Sequence, residues 1–203
     1  MDPKNKIFGV PHPGTFIVGR KGVVVSRFFE NAYQERYTVG AILSASGVDS
    51  AGRPVTTQTS HLTVAASLAQ ESVAPGERLS IVVQVTPKPS MHLYAPGKHS
   101  YQVVRLVVDP QPWLRSHEIK YPASQIYHFK PLDERVPVYA RPFRLVRDVT
   151  ILATPDARKA LAAMPAVTIT GALEYQACDE KMCYMPELVP LSFTLTTRPL
   201  IRR

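Results

Sequence analysis

Short runs of alternating apolar and polar residues recur along the chain from residue 61 onward. In "LSIVVQVTP", Leu79, Ile81, Val83 and Val85 fall on one side of an extended backbone. That two-residue period belongs to a strand burying one face. "HLTVAASLA", "YQVVRLVVDP", "FRLVRDVTILA", "AVTITGALEYQA" and "LVPLSFTLTT" read the same way, and proline and glycine punctuate the gaps in "APGE", "TPKPS" and "APGK". One short helix is predicted at "TPDARKALAAM", with Thr154 as N-cap and Pro155 at the first helical position. Six or more short strands with almost no helix predict a mainly β protein, an antiparallel β-sandwich. Residues 61–203 suffice for one such domain.

Residues 1–45 have another texture. "TFIVG" and "VVVSRFF" read as a hairpin turned at "RKG". Asn31 is placed to cap a helix over 32–44, where Tyr33, Tyr37, Ile42 and Leu43 share a face. Two strands and one helix cannot bury a core alone. The stretch "PGTFIVGRKGVVVSRFFE" plus the helix resembles the C-terminal end of a redoxin, a thioredoxin-like domain. That resemblance implies a C-terminal redoxin remnant at 1–45, with Pro13 in the place of the family's cis-proline. It brings no catalytic cysteine, because none occurs before residue 178. Residues 46–60, "SGVDSAGRPVTTQTS", have the Ser/Thr/Gly composition of a linker.

Apolar residues make up 45% of the 203, enough for a sizeable core, and the net charge is +8. Such a charge raises the question of an anionic partner. The sequence contains no run of five basic residues, no Gly-rich phosphate loop and no zinc-finger spacing, so a solvated basic surface is expected rather than a nucleic-acid site. No apolar run approaches the ~20 residues of a membrane span, and the first residues lack the apolar core of a signal peptide.

The chemistry lies in 174–189, "EYQACDEKMCYMPELV", which holds the chain's two cysteines, Cys178 and Cys183. If the strands on either side pair, the two sulfurs come within bonding reach. As a staple the bond would add little: closing about six residues is worth ~2 kcal/mol, against ~4.7 for a loop of 100. As a zinc site the motif lacks histidine, and zinc wants four ligands. Copper(I) is the softer metal alternative, with Met182 and Met185 flanking Cys183. As a redox pair it has what exchange requires, one thiol to meet a partner and a second to resolve the mixed disulfide. Tyr175 and Tyr184 are placed to wall the sulfurs from oxidants. Lys181 favours a thiolate, and Asp179 and Glu180 oppose it.

"EYQACDEKMCYMPE" followed by "VPLSFTL" resembles the N-terminal periplasmic domain of thiol:disulfide interchange proteins of the DsbD type. The matching positions are Tyr175, Gln176, Cys178, Cys183, Tyr184 and Pro186. "HLYAPG" and "YPASQIYHFKPLDERVPVYARPFRLVRDVTI" also look like this family, and the resemblance covers about 61–197. It implies an immunoglobulin-like fold and a periplasmic or otherwise extracytoplasmic location. It also implies electron relay between thioredoxin-like donor and acceptor proteins, some of them in cytochrome c maturation. The disulfide itself would be the redox group, with no further cofactor. By the same resemblance Cys183 forms the mixed disulfide, Cys178 resolves it, and an aromatic residue of 127–139, Phe129, shields the pair. The rival expectation is a copper(I) or protein-interaction sandwich with a structural disulfide.

Overall fold

The computed structural model describes residues 14–29, 36–37, 42, 54–68, 70–129 and 133–198. Strand β7 (Glu77–Pro87) is the spine of the first sheet. It pairs antiparallel with β5 (Leu62–Leu68) on one side and β13 (Phe143–Ile151) on the other. The sheet is extended by β4 (Val55–Gln58) beyond β5 and by β10 (Leu114–Lys120) beyond β13. The alternation in β7 has the predicted effect, with Leu79, Ile81, Val83 and Val85 all 1% exposed or less.

A second sheet has the order β6 (Ser72–Val73), β16 (Glu187–Thr197), β14 (Ala166–Tyr175), β9 (Arg105–Val108). Strands β14 and β16 pair without interruption from Ala166↔Thr196 to Tyr175↔Glu187. The core lies between the sheets, where Leu62, Leu79, Ile81 and Leu145 of the first meet Leu106, Ile169, Leu173 and Leu195 of the second. The molecule is a mainly β, antiparallel sandwich, as the periodicity requires.

A third, smaller sheet closes one end, in the order β11 (Gln125–Phe129), β12 (Glu134–Tyr139), β8 (His92–Tyr94), β15 (Ala177–Cys178). One face of it, through Leu93, Tyr139 and Ala177, joins the main core. The other face carries Tyr94, Val136, Val138 and Cys178 as a separate apolar cluster.

The helix α1 (Pro155–Ala162) has its predicted cap. Thr154 is extended (φ −65°, ψ 155°), and its Oγ1 accepts from Ala157 N at 3.3 Å. The N-terminal hairpin also forms, as β1 (Gly14–Val18) and β2 (Val24–Phe29), with Gly22 at φ 75° in the turn. Phe16, Val18, Val24 and Phe29 on it are exposed.

Two expectations change. Arg36–Tyr37, read within a helix over 32–44, form strand β3 parallel to Glu77–Arg78. Ile42 is helical, and the rest of that segment lies outside the described residues, as does Pro13. The Thr-rich end of the segment read as linker supplies the edge strand β4, where Thr57 and Val55 pair with Val64 and Ala66. Tertiary pairing with an apolar neighbour outweighs local composition at this edge. Among the described residues, no helix is long and apolar enough to cross a membrane.

One buried charge ties the first sheet together. Asp148 on β13 is fully buried. Its carboxylate accepts from Ser80 Oγ at 2.7 Å and Lys120 Nζ at 2.8 Å, and Arg78 lies 3.3 Å away. Burial alone would push this carboxyl up. The hydrogen bonds from Lys120 and Ser80 and the charges of Lys120 and Arg78 outweigh it and hold the carboxyl below its ordinary value. Because the folded value is depressed, the contribution to stability is complete at neutral pH and lost as pH falls through the acid range below 4. Asp148→Ala should lower the unfolding free energy at pH 7 by about 3–5 kcal/mol, as expected when one partner of a buried ionic network is removed. Urea unfolding at pH 7 and pH 3 checks this, and the difference between variant and wild type should shrink at the lower pH.

Candidate redox site

After Tyr175 the chain leaves its β16 partner, passes through Gln176 and pairs again as β15, with Ala177 opposite Leu93 and Cys178 opposite His92. Successive side chains of a strand point to opposite faces, so Ala177 enters the main core and Cys178 faces the small apolar cluster. Five residues on, Cys183 returns antiparallel to Cys178, with the Cα atoms 4.0 Å apart and the sulfurs joined in a disulfide. The cysteines therefore lie beyond the β14–β16 hairpin and not at its last rung.

The intervening loop is built around Asp179. Its Oδ1 accepts the backbone N–H groups of Lys181 (2.7 Å) and Met182 (2.8 Å), and its Oδ2 accepts the Tyr184 hydroxyl at 2.8 Å. These bonds, the two amides first, hold the carboxyl below its usual range. Two further bonds close the base of the loop, Tyr184 N to Ala177 O at 2.8 Å and Gln176 Nε2 to Tyr184 O at 3.0 Å.

The pair is unequal in access. Cys178 is 1% exposed, while Cys183 is exposed. A cleft of about 160 Å³ opens over both, walled by residues of β8, β11, β12, the 95–104 loop and the 179–182 loop, including Phe129, Tyr101 and Met182. Period-2 alternation aims its walls: His92 and Tyr94 share one face of β8, Tyr127 and Phe129 one face of β11, Glu134 and Val136 one face of β12.

Tyr94 is the direct contact. Its Oη lies 3.5 Å from Cys183 Sγ and 3.6 Å from Cys178 Sγ. Disulfide sulfurs carry no hydrogen, so the hydroxyl is the donor. The Tyr94 ring stacks on Tyr101, with centroids 4.1 Å apart and planes 5° from parallel, and Tyr101 Oη donates to Glu134 Oε2 at 2.6 Å. Burial, and then the neighbouring Tyr101 and Glu134, push the Tyr94 phenol up to about 12, so it stays protonated. Beside it His92 is 5% exposed, and its Nε2 is buried with no hydrogen-bond partner. The ring is tilted against Tyr127 at 4.6 Å. Burial, opposed by Asp179, holds the imidazole below its ordinary value.

The structure sorts the residues singled out from sequence. Cys178, Cys183, Phe129, Asp179, Lys181 and Met182 meet at the cleft. Tyr175 and Tyr184 stand elsewhere. Tyr175 is fully buried, and its hydroxyl donates to Glu187 at 2.6 Å and lies 2.9 Å from Thr59 Oγ1. Tyr184 packs on His61 and ties Asp179. Pro186 is exposed just before β16, and Met185, 82% exposed, is not part of the cleft wall. Among the described residues no group of three or more His, Cys, Asp or Glu is arranged to hold a metal. His92, Tyr94, Tyr101 and Glu134 carry no role in the sequence reading. Two of them fall in "HLYAPG", a stretch that enters that reading only through the family resemblance.

The fold and site define a β-sandwich carrying a short-range, half-accessible disulfide in an aromatic cleft at one end. Residues 60–190 match the family described as "Thiol:disulfide interchange protein DsbD, N-terminal", and the chain belongs to that family of thiol–disulfide exchange domains. Among solved structures it is similar to the N-terminal periplasmic domain of ScsB from Proteus mirabilis, at 14% identity and TM-score 0.45. That match covers 70% of this chain and 49% of the other, so this chain spans about half its length. It is also similar to the DsbD N-terminal domain of Neisseria meningitidis in the reduced form, at 15% identity and TM-score 0.37, over 58% of this chain and 76% of that one. Comparison with curated proteins gives no match.

A bond closing so short a loop should add little to the fold. The Cys178→Ser/Cys183→Ser double variant should remain folded, with its unfolding free energy lower by about 2 kcal/mol or less in a urea titration. Asp179→Ala should instead act locally. Amide exchange at Lys181 and Met182 should accelerate roughly tenfold, as expected when a hydrogen-bond acceptor is removed, while the β7 and β13 amides keep their protection.

Proposed function

We propose that the domain is an electron relay between thioredoxin-like proteins, working through the Cys178–Cys183 pair in the periplasm or an equivalent extracytoplasmic space. The observation that carries this reading is the unequal access of the two sulfurs, Cys178 buried and Cys183 exposed, within one cleft. The family membership of residues 60–190 supports it.

In the receiving half-reaction a donor thiolate attacks Cys183 Sγ. The Cys178–Cys183 bond breaks and its electron pair leaves on Cys178 Sγ, toward which the Tyr94 hydroxyl donates. The donor's second thiolate then attacks the mixed disulfide and releases Cys183, leaving the domain reduced and the donor oxidised. In the delivering half-reaction the Cys183 thiolate attacks an acceptor disulfide, and Cys178 resolves the intermediate by re-forming the intramolecular bond. The buried sulfur never has to meet a partner. Phe129, at the end of β11 on the cleft wall, shields the pair between encounters and is displaced by a partner.

The roles are separable by trapping. Cys178→Ser, offered a thioredoxin-like protein in its disulfide form, should accumulate a mixed disulfide through Cys183. Cys183→Ser should accumulate at least about tenfold less, in keeping with the dependence of thiol exchange on access. Non-reducing electrophoresis with mass mapping checks this. In parallel, oxidised wild type mixed with a reduced thioredoxin-like donor should gain two thiols per chain. A pair still oxidised after hours would sink the relay reading.

A further inference from the structure

The delivering half-reaction raises a proton problem that the cysteines cannot solve themselves. Cys178 must become a thiolate to resolve the mixed disulfide, yet it is 1% exposed in an apolar cluster with Tyr94, Val136 and Val138. Burial in apolar surroundings disfavours the thiolate. Tyr94 cannot take the proton, because its phenol is already protonated and is a donor. Glu134 is engaged by Tyr101, and Asp179 by two amides and Tyr184.

His92 meets the requirement by position. It lies directly opposite Cys178 in the β8–β15 pair, and side chains so placed leave the sheet on one face with Cβ atoms about 4.5–5.5 Å apart. Both side chains line the same cleft. The His92 Nε2 is buried and has no hydrogen-bond partner, an arrangement that costs free energy unless something uses it. The ring is held by Tyr127 against its face and by Tyr94, edge-on at 5.6 Å.

We propose that His92 is the base that takes the proton from Cys178 in the resolving step. This inference rests on the relay reading and names how the buried thiol is activated. The neutral imidazole accepts the Cys178 S–H proton and becomes an imidazolium. The Cys178 thiolate attacks Cys183 Sγ, the bond from Cys183 to the partner sulfur breaks, and the partner leaves as a thiolate with the electron pair. The imidazolium then returns its proton to water. In the receiving direction the same ring, once protonated, gives the proton back to the departing Cys178 sulfur. The charged and titratable groups facing the ring are Asp179 of the loop, Glu134 of β12, Lys181 at the rim, and the phenols of Tyr94, Tyr101 and Tyr127. Burial keeps the imidazole below its ordinary value, so it is in its basic form at neutral pH.

The small disulfide 5,5′-dithiobis(2-nitrobenzoate) separates the two steps. The reduced chain should release one equivalent of thionitrobenzoate as Cys183 is capped, then a second as Cys178 resolves. In wild type the second phase should level off above about pH 7, once the imidazole is neutral. In His92→Phe, which keeps a ring against Tyr127, the second phase should slow at least about tenfold at pH 7, a modest share of what general-base assistance supplies. It should also climb with pH without levelling, as an unassisted thiol does. His92→Gln should behave likewise, and the first phase should be unchanged in both, reporting that the variants fold. A second phase of wild-type speed and pH dependence in the variants overturns the role of His92 while leaving the relay intact. Should neither variant fold, a wild-type second phase that rises without levelling from pH 6 to 9 overturns it equally. Failure of the reduced wild type to release a second equivalent overturns the relay reading and this inference with it.

Discussion

The site depends on a pairing of only two residues on each strand, Ala177–Cys178 against His92–Leu93. Within one residue, Gln176, the chain passes from the longest antiparallel pair of the sandwich into a different sheet. Because strand side chains alternate, that short register decides everything downstream. Ala177 is placed in the main core and Cys178 in the cleft, opposite His92. A slip of one residue would exchange them, burying the sulfur among Leu93 and Tyr139 and turning Ala177 toward Tyr94. The register is guarded from both sides. Leu93 and Ala177 are buried in the core, and the Tyr184 N–H to Ala177 carbonyl bond fixes the returning chain.

From this constraint follows the inequality of the cysteines. Cys178 is held by a strand and Cys183 by a loop, and the loop is shaped by Asp179 and not by the disulfide. The loop's main hydrogen bonds therefore run to Asp179 and do not involve the sulfurs. By loop-entropy arithmetic the fold asks little of a disulfide that closes so short a loop.

The sandwich was legible because its strands bury one face and so display a two-residue period, as in Leu79, Ile81, Val83 and Val85. The cysteine pair was legible as chemistry because two thiols five apart can only be so many things. The cleft was not legible. Its walls come from residues 92–101, 127–136 and 178–183, brought together by sheet pairing that no local pattern announces. β8 is three residues long, flanked by turn residues, and too short to display a period. Tyr175 shows the cost of reasoning from sequence proximity. It stands three residues from Cys178, an odd offset across a change of sheet, and serves as a buried anchor for Glu187. The aromatic that touches the sulfurs is Tyr94, distant in sequence.

The cleft stabilises sulfur with a neutral donor, the Tyr94 hydroxyl, backed by the stacked Tyr101. Both tyrosines are held protonated, Tyr94 by burial and its neighbours, Tyr101 first by its bond to Glu134. The carboxyl groups lining the cleft, Asp179 and Glu134, are already engaged, and Lys181 is exposed at the rim, where water and salt screen it. A buried cation at Tyr94's position would hold Cys178 as a permanent thiolate. Stabilising the reduced form in that way makes a disulfide a strong oxidant, which keeps the electrons it receives. A phenol that donates a hydrogen bond lowers the cost of a transient thiolate without fixing it there. The proposed relay would have to lose its electrons as readily as it gains them. A neutral donor at the buried sulfur, with solvent access left to the other one, suits that requirement within a single cleft.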